Sequence, residues 1–87
     1  MNANEKVKLK KNLNVTDLSG EKVMIDFESG KYFMIKGAGN DIWDSIQEEI
    51  TVGEIIDKLL SEYDVSRQEC EKSVEDFLNK LRELDFI

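Results

Sequence analysis

Cys70 is the one thiol of the chain, and a thiol serves as a nucleophile or metal ligand only as its thiolate, a form that a nearby cation, metal or helix N-terminus must favour. Its sequence neighbours are Glu69 and Glu71, whose charges raise a thiol pKa. Cys70 therefore reads as a small apolar residue. Asp41, Asp44, Glu48, Glu49 and Asp57 are adjacent or helix-spaced carboxylates, but none lies in a loop with the alternating oxygen ligands and central glycine of a calcium site. They read as a solvated acidic surface. Gly37-Ala38-Gly39 precedes a helical stretch as a phosphate loop would, yet it lacks the third glycine and the Lys-Ser/Thr pair. It reads as a chain reversal. Histidine is absent, which removes the side chain most used for proton transfer near neutral pH and the commonest metal ligand. These residues point to binding rather than catalysis, with no catalytic residue, metal or cofactor expected.

With 87 residues, 40% hydrophobic and 36% charged, the chain has the composition of one globular domain with a modest core. The expected domain spans 1–87, with residues 1–6 as a flexible N-terminus. The net charge of −7 repels nucleic-acid phosphates and anionic lipid heads, so neither is an expected partner. Charge is uneven: residues 1–40 hold seven basic and five acidic groups, whereas residues 41–87 hold five and fourteen. A single cysteine allows no internal disulfide, and no apolar N-terminal run suggests a signal peptide or membrane span. The expected location is the cytoplasm.

The elements that would hold a binding surface follow from periodicity. Val7, Leu9, Leu13 and Val15 alternate with Lys8, Lys10, Asn12 and Asn14, the period of a strand with one covered face, although Lys11 interrupts it. A turn signal over residues 17–20 leads to a second apolar run, Val23, Met24, Ile25, Asp26 and Phe27. Ser29-Gly30 then turns the chain into Tyr32, Phe33, Met34 and Ile35. A two-residue Ser29-Gly30 loop would set Phe27 opposite Tyr32, Asp26 opposite Phe33 and Ile25 opposite Met34. Both faces of the third strand are then partly apolar, and the pattern does not decide whether both are packed.

Asn40 or Asp41 is expected to cap a short helix with Ile42, Trp43 and Ile46 on its core side. Thr51-x-x-Glu54 is a capping box stapled by Ile50 and Ile55, opening a helix through Ile56, Leu59, Leu60 and Tyr63. Ser66-x-x-Glu69, with Val65 and Cys70 as its staple, opens the longest helix, on which Cys70, Val74, Phe77, Leu78 and Leu81 recur at helical spacing. The expected fold is α+β, a three-stranded antiparallel sheet followed by three helices.

Such a meander leaves its first and third strands at the edges, where free N–H and C=O groups can pair with a guest strand. The first carries several lysines, which protect an edge, while the third is a clean apolar run between Lys31 and Lys36. The third strand is the expected docking edge, and pockets between it and a helix would select the guest's side chains. Glu71, Glu75 and Asp76 on the last helix read either as a solvated face, the commoner case, or as a preference for a guest bearing Lys or Arg.

Four strings carry a resemblance: E-S-G-K-Y-F in the hairpin, G-A-G-N-D-I-W at the first helix, E-Y-D-V before the last helix, and F-L-x-K-L-R-E-L near the end. In order and spacing, residues 13–87 resemble the PqqD-like family of peptide-recognition domains. The resemblance implies a winged-helix-like arrangement. It also implies a non-catalytic adaptor that binds the leader of a ribosomally made precursor peptide in natural-product biosynthesis and presents the rest to a separate modifying enzyme. That enzyme would be a lasso-peptide leader peptidase or a radical SAM maturase with its own iron–sulfur clusters, and the chain would be free-standing because it ends at Ile87. Carried over by position, the leader would add along Lys31, Tyr32, Phe33, Met34, Ile35 and Lys36. The facing wall would draw on Arg67, Cys70, Glu71, Val74, Phe77 and Leu78. Relatives often have Leu-Asn where this chain has Ile35-Lys36.

A winged-helix nucleic-acid binder is the alternative from another class. It lacks its basic stripe, because residues 67–84 hold four basic and five acidic side chains. An open sheet edge also offers a route to a homodimer.

Overall fold

Ser19 and Gly20 both have positive φ, 46° and 90°, which fits the two-residue hairpin turn whose twist suits the flanking strands. The computed structural model describes residues 2–10, 14–26 and 28–87. The turn joins β2 (Asn14–Leu18) to β3 (Glu21–Asp26), closing on the pair Leu18 and Glu21. After β3 the chain returns as β4 (Lys31–Ile35), giving an antiparallel sheet in the order β2-β3-β4. The register pairs Ile25 with Tyr32, Met24 with Phe33 and Val23 with Met34. The connection between β3 and β4 is thus two residues longer than the expected Ser29-Gly30 loop. The shift is even, so each side chain keeps its expected face. Phe27, Lys11, Asn12 and Leu13 lie outside the described residues.

The expected first strand is divided between two sheets. Lys6–Val7 forms a short β1 paired with β5 (Ile50–Thr51), while the meander begins at Asn14. Between them, Leu9 N–H donates to Ile46 O at 2.9 Å and Lys10 N–H to Phe86 O at 2.8 Å. Alternation reports one covered face, not which neighbour covers it. Residues 2–6, expected to be flexible, make specific contacts: the Glu5 and Ala3 carbonyls accept from the N–H groups of Val52 and Gly53, each at 2.9 Å.

Helix α1 (Ala38–Ser45) starts earlier than expected, with Gly37 as its N-cap and no side-chain cap. Gly37 has φ 60° and ψ −138°, a backbone region essentially reserved for glycine. The expected caps have other partners. Asn40 Nδ2 donates to Gly20 O at 2.8 Å, clamping the first hairpin turn, and Asp41 accepts from Tyr63 Oη at 2.5 Å. Ile42, Trp43 and Ile46 are all buried, as their spacing requires.

Helix α2 (Val52–Glu62) carries the full Thr51/Glu54 capping box, and α3 (Arg67–Glu83) is capped by Ser66, whose hydroxyl accepts from Glu69 N–H. The core gathers α1, α2 and α3 on one side of the sheet, with Met24 and Ile35 contributed by β3 and β4 and Val7 by β1. The architecture is α+β, a three-stranded antiparallel sheet followed by three helices. Among the described residues no helix is long and apolar enough to cross a membrane.

Candidate functional site

Strand β4 is an edge: β3 pairs with one side of it, and among the described residues no strand pairs with the other. Which of its groups are free follows from the turn and the register. The two-residue hairpin makes Leu18 and Glu21 a hydrogen-bonded pair, so residues 21, 23 and 25 of β3 bond to β2 and the alternate residues bond to β4. Lys31, Phe33 and Ile35 therefore complete the ladder, and Tyr32 and Met34 direct N–H and C=O outward. Lys36 lies beyond the ladder, its carbonyl accepting from Gly39 N–H at 3.2 Å in the first turn of α1.

Side chains alternate in the same way. Phe33 and Ile35 point toward the core, with the Phe33 ring edge-on to Phe86 at a centroid distance of 5.1 Å and an interplanar angle of 86°. Tyr32 and Met34 are 72% and 50% exposed, so one face of the strand is left open. Phe86 holds its place because Asp85, at φ 61°, turns the chain back after α3 and lets Phe86 N–H donate to Leu81 O at 2.9 Å.

A groove of about 360 Å³ runs beside β4, lined by Met24, four consecutive strand residues (Tyr32, Phe33, Met34 and Ile35), and Phe77, Lys80, Leu81 and Leu84. Four successive residues of a pleated strand line one cavity only when it follows the strand's edge rather than a face. The opposite wall is the stripe 77, 80, 81, 84 of the last helix and its cap, spaced i, i+3, i+4, i+7.

Of the expected wall residues, Phe77 lines this groove. Val74 and Leu78 are fully buried in the core. Cys70 is also buried, its Sγ lying 3.8 Å from Ile56 O, and burial chiefly pushes its thiol pKa up, with Glu71 adding to the rise and Arg67 opposing it. Arg67 pairs with Asp57 at 3.5 Å and Glu71 at 3.1 Å, and both Arg67 and Glu71 border a separate cleft with Ala3, Val52 and Ile56. Met24, Lys80, Leu81 and Leu84 also line the groove, beyond the expected wall, and Phe86 lies against Phe33 beneath it. The signal was present in F-L-x-K-L-R-E-L, whose second apolar stripe is offset from the core stripe 70, 74, 78, 81.

Glu71, Glu75 and Asp76 lie outside the groove lining. Glu71 is engaged by Arg67, Asp76 is engaged by Lys72 at 3.3 Å, and Glu75 sits beside the cleft on the Ala3 side. The charged side chain lining the groove is Lys80. Lys8 and Lys10, expected to protect the edge opposite β4, precede β2 rather than belonging to it. The helical wall is what distinguishes β4. Among the described residues, no three His, Cys, Asp or Glu side chains are grouped to hold a metal.

With an open strand edge walled by a helix, the chain belongs to the PqqD family: the family model described as coenzyme PQQ synthesis protein D matches residues 21–87. A solved structure described as TbiB1 in complex with the TbiA(beta) leader peptide is similar over 92% of this chain and 93% of that one, with a TM-score of 0.80 and 28% identity. Among curated proteins none matches.

Proposed function

We propose that this protein binds the leader region of a ribosomally made precursor peptide by strand addition in the β4–α3 groove and presents the remainder to a separate modifying enzyme. The observation that carries the reading is the outward N–H and C=O pairs of Tyr32 and Met34 beside the apolar stripe Phe77, Leu81 and Leu84. The backbone groups hold any extended segment, and the stripe selects its side chains. Family membership and the leader-bound relative support the same use of the fold. The protein contributes no catalytic group in this reading; the chemistry belongs to its partner, a leader peptidase or a radical SAM maturase. A nucleic-acid role is disfavoured by α3 itself, where Arg67, Lys72 and Arg82 are each engaged by a carboxylate.

The test is a titration with the leader of the short precursor reading frame expected beside this gene, followed by backbone amide chemical shifts. Tyr32 and Met34 are expected to shift most, with Phe77, Leu81 and Leu84 responding through the wall. Saturable binding that leaves residues 31–35 unmoved would rule out strand addition.

A further inference from the structure

Four cations lie on α3, and three hold a carboxylate: Arg67 with Glu71, Lys72 with Asp76, and Arg82 with Glu5 at 2.5 Å. Lys80 is the fourth. It is exposed, lines the groove, and makes no ion pair among the described residues. No carboxylate residue shares that lining. Asp76, one turn before it, is occupied by Lys72. At the α1 end of β4, Lys36 is likewise exposed and without an ion pair among the described residues. Glu83, three residues after Lys80, is exposed and lies outside the lining, so against a chain charge of −7 the charge that the groove itself presents is that of Lys80.

Resting on the peptide-binding reading above, we infer that the groove selects an anionic leader, an extended segment with aliphatic or aromatic anchors and an Asp or Glu that meets Lys80. The floor and wall, Phe33, Ile35, Phe77, Leu81 and Leu84, take the anchors. Lys80 stands between Phe77 and Leu84 on the helix, so the carboxylate falls within the bound segment rather than past its end. At an exposed lysine this contact contributes modestly, and the protein's remote carboxylates are screened beyond about 8 Å at physiological salt. The charge of the groove, not that of the whole surface, decides the sign of the preference.

The experiment selects peptides from a displayed random library, long enough to span the groove, on the immobilised full chain. Synthetic copies of the enriched peptides are then titrated against wild type, Lys80→Glu and Met34→Pro, each checked for folding by circular dichroism. The expected set alternates apolar residues and carries net negative charge, and Lys80→Glu weakens it about five- to tenfold, since attraction is replaced by repulsion at an exposed site. Neutral or basic winners that lose affinity in Met34→Pro but not in Lys80→Glu would overturn the charge preference and leave strand addition standing. Winners that bind Met34→Pro as tightly as wild type, or no enrichment at all, would overturn both.

Discussion

Replacing Met34 by proline removes an N–H that the register aims away from β3. The ladder bonds of Phe33 and Ile35 survive, so the sheet is expected to persist, as edge positions tolerate proline. A guest strand pairs only with the outward groups, those of Tyr32 and Met34. Losing the Met34 donor costs about 0.5–1.5 kcal/mol for the hydrogen bond. Leaving the guest's carbonyl unsatisfied beside the proline ring raises the total to about 1–3 kcal/mol. That corresponds to a Kd roughly 5- to 150-fold weaker. The matched control is Val15→Pro on the opposite edge, where the same register directs the N–H outward but no α3 wall stands. Isothermal titration of the leader against both variants, with thermal melts for folding, measures the contrast. Equal affinities for wild type and a folded Met34→Pro, or equal losses in both variants, would refute the argument that β4 supplies the docking edge.

Phe86→Leu keeps the site apolar but removes the edge-on contact with Phe33; stability is expected to fall by about 1–2 kcal/mol in a denaturant melt, with a looser groove floor and weaker leader binding. Gly37→Ala places a Cβ at φ 60°, ψ −138°, and is expected to cost about 1–3 kcal/mol, seen as a lower Tm. Tyr63 donates to Asp41, and that hydrogen bond is the main cause raising its phenol above the ordinary 10.0. A raised phenol pKa means that the folded state keeps its proton longer. The stabilisation is complete below pH 10.0 and is lost as pH climbs through the folded value. Alkaline melts of wild type and Tyr63→Phe should therefore converge at high pH; parallel curves would show that the bond contributes nothing.

Period and capping signals are local, and they were legible. Thr51-x-x-Glu54 and Ser66-x-x-Glu69 start their helices where the spacing placed them, and Ile42, Trp43 and Ile46 are buried together. Pairing partners are not local. Val7 and Leu9 share the alternation of Val15, yet β1 pairs with β5 and Leu9 bonds to Ile46. The same limit applied to the site. The edge strand was legible from its apolar run, but the wall depends on the rotation of α3: of the expected wall Phe77 lines the groove, and Lys80, Leu81 and Leu84 join it in place of Cys70 and Val74. Phe86 escaped because its burial depends on a reversal at Asp85, a residue whose type gives only a weak signal for positive φ.

An open strand edge is normally a liability, since any extended chain can pair with it, and this fold restricts access without closing it. β4 spans only five residues, and the net charge of −7 opposes self-association. The larger restriction is α3. Two copies joined through β4 in antiparallel fashion would be related by an axis perpendicular to the sheet, bringing both α3 helices to the same face along one seam. The α3 stripes of the two copies would then compete for the groove beside β4. Under the proposed function, the wall that would supply apolar contacts to an extended guest would also hinder a folded one, so leader recognition and protection of the edge would rest on the same residues, Phe77, Leu81 and Leu84.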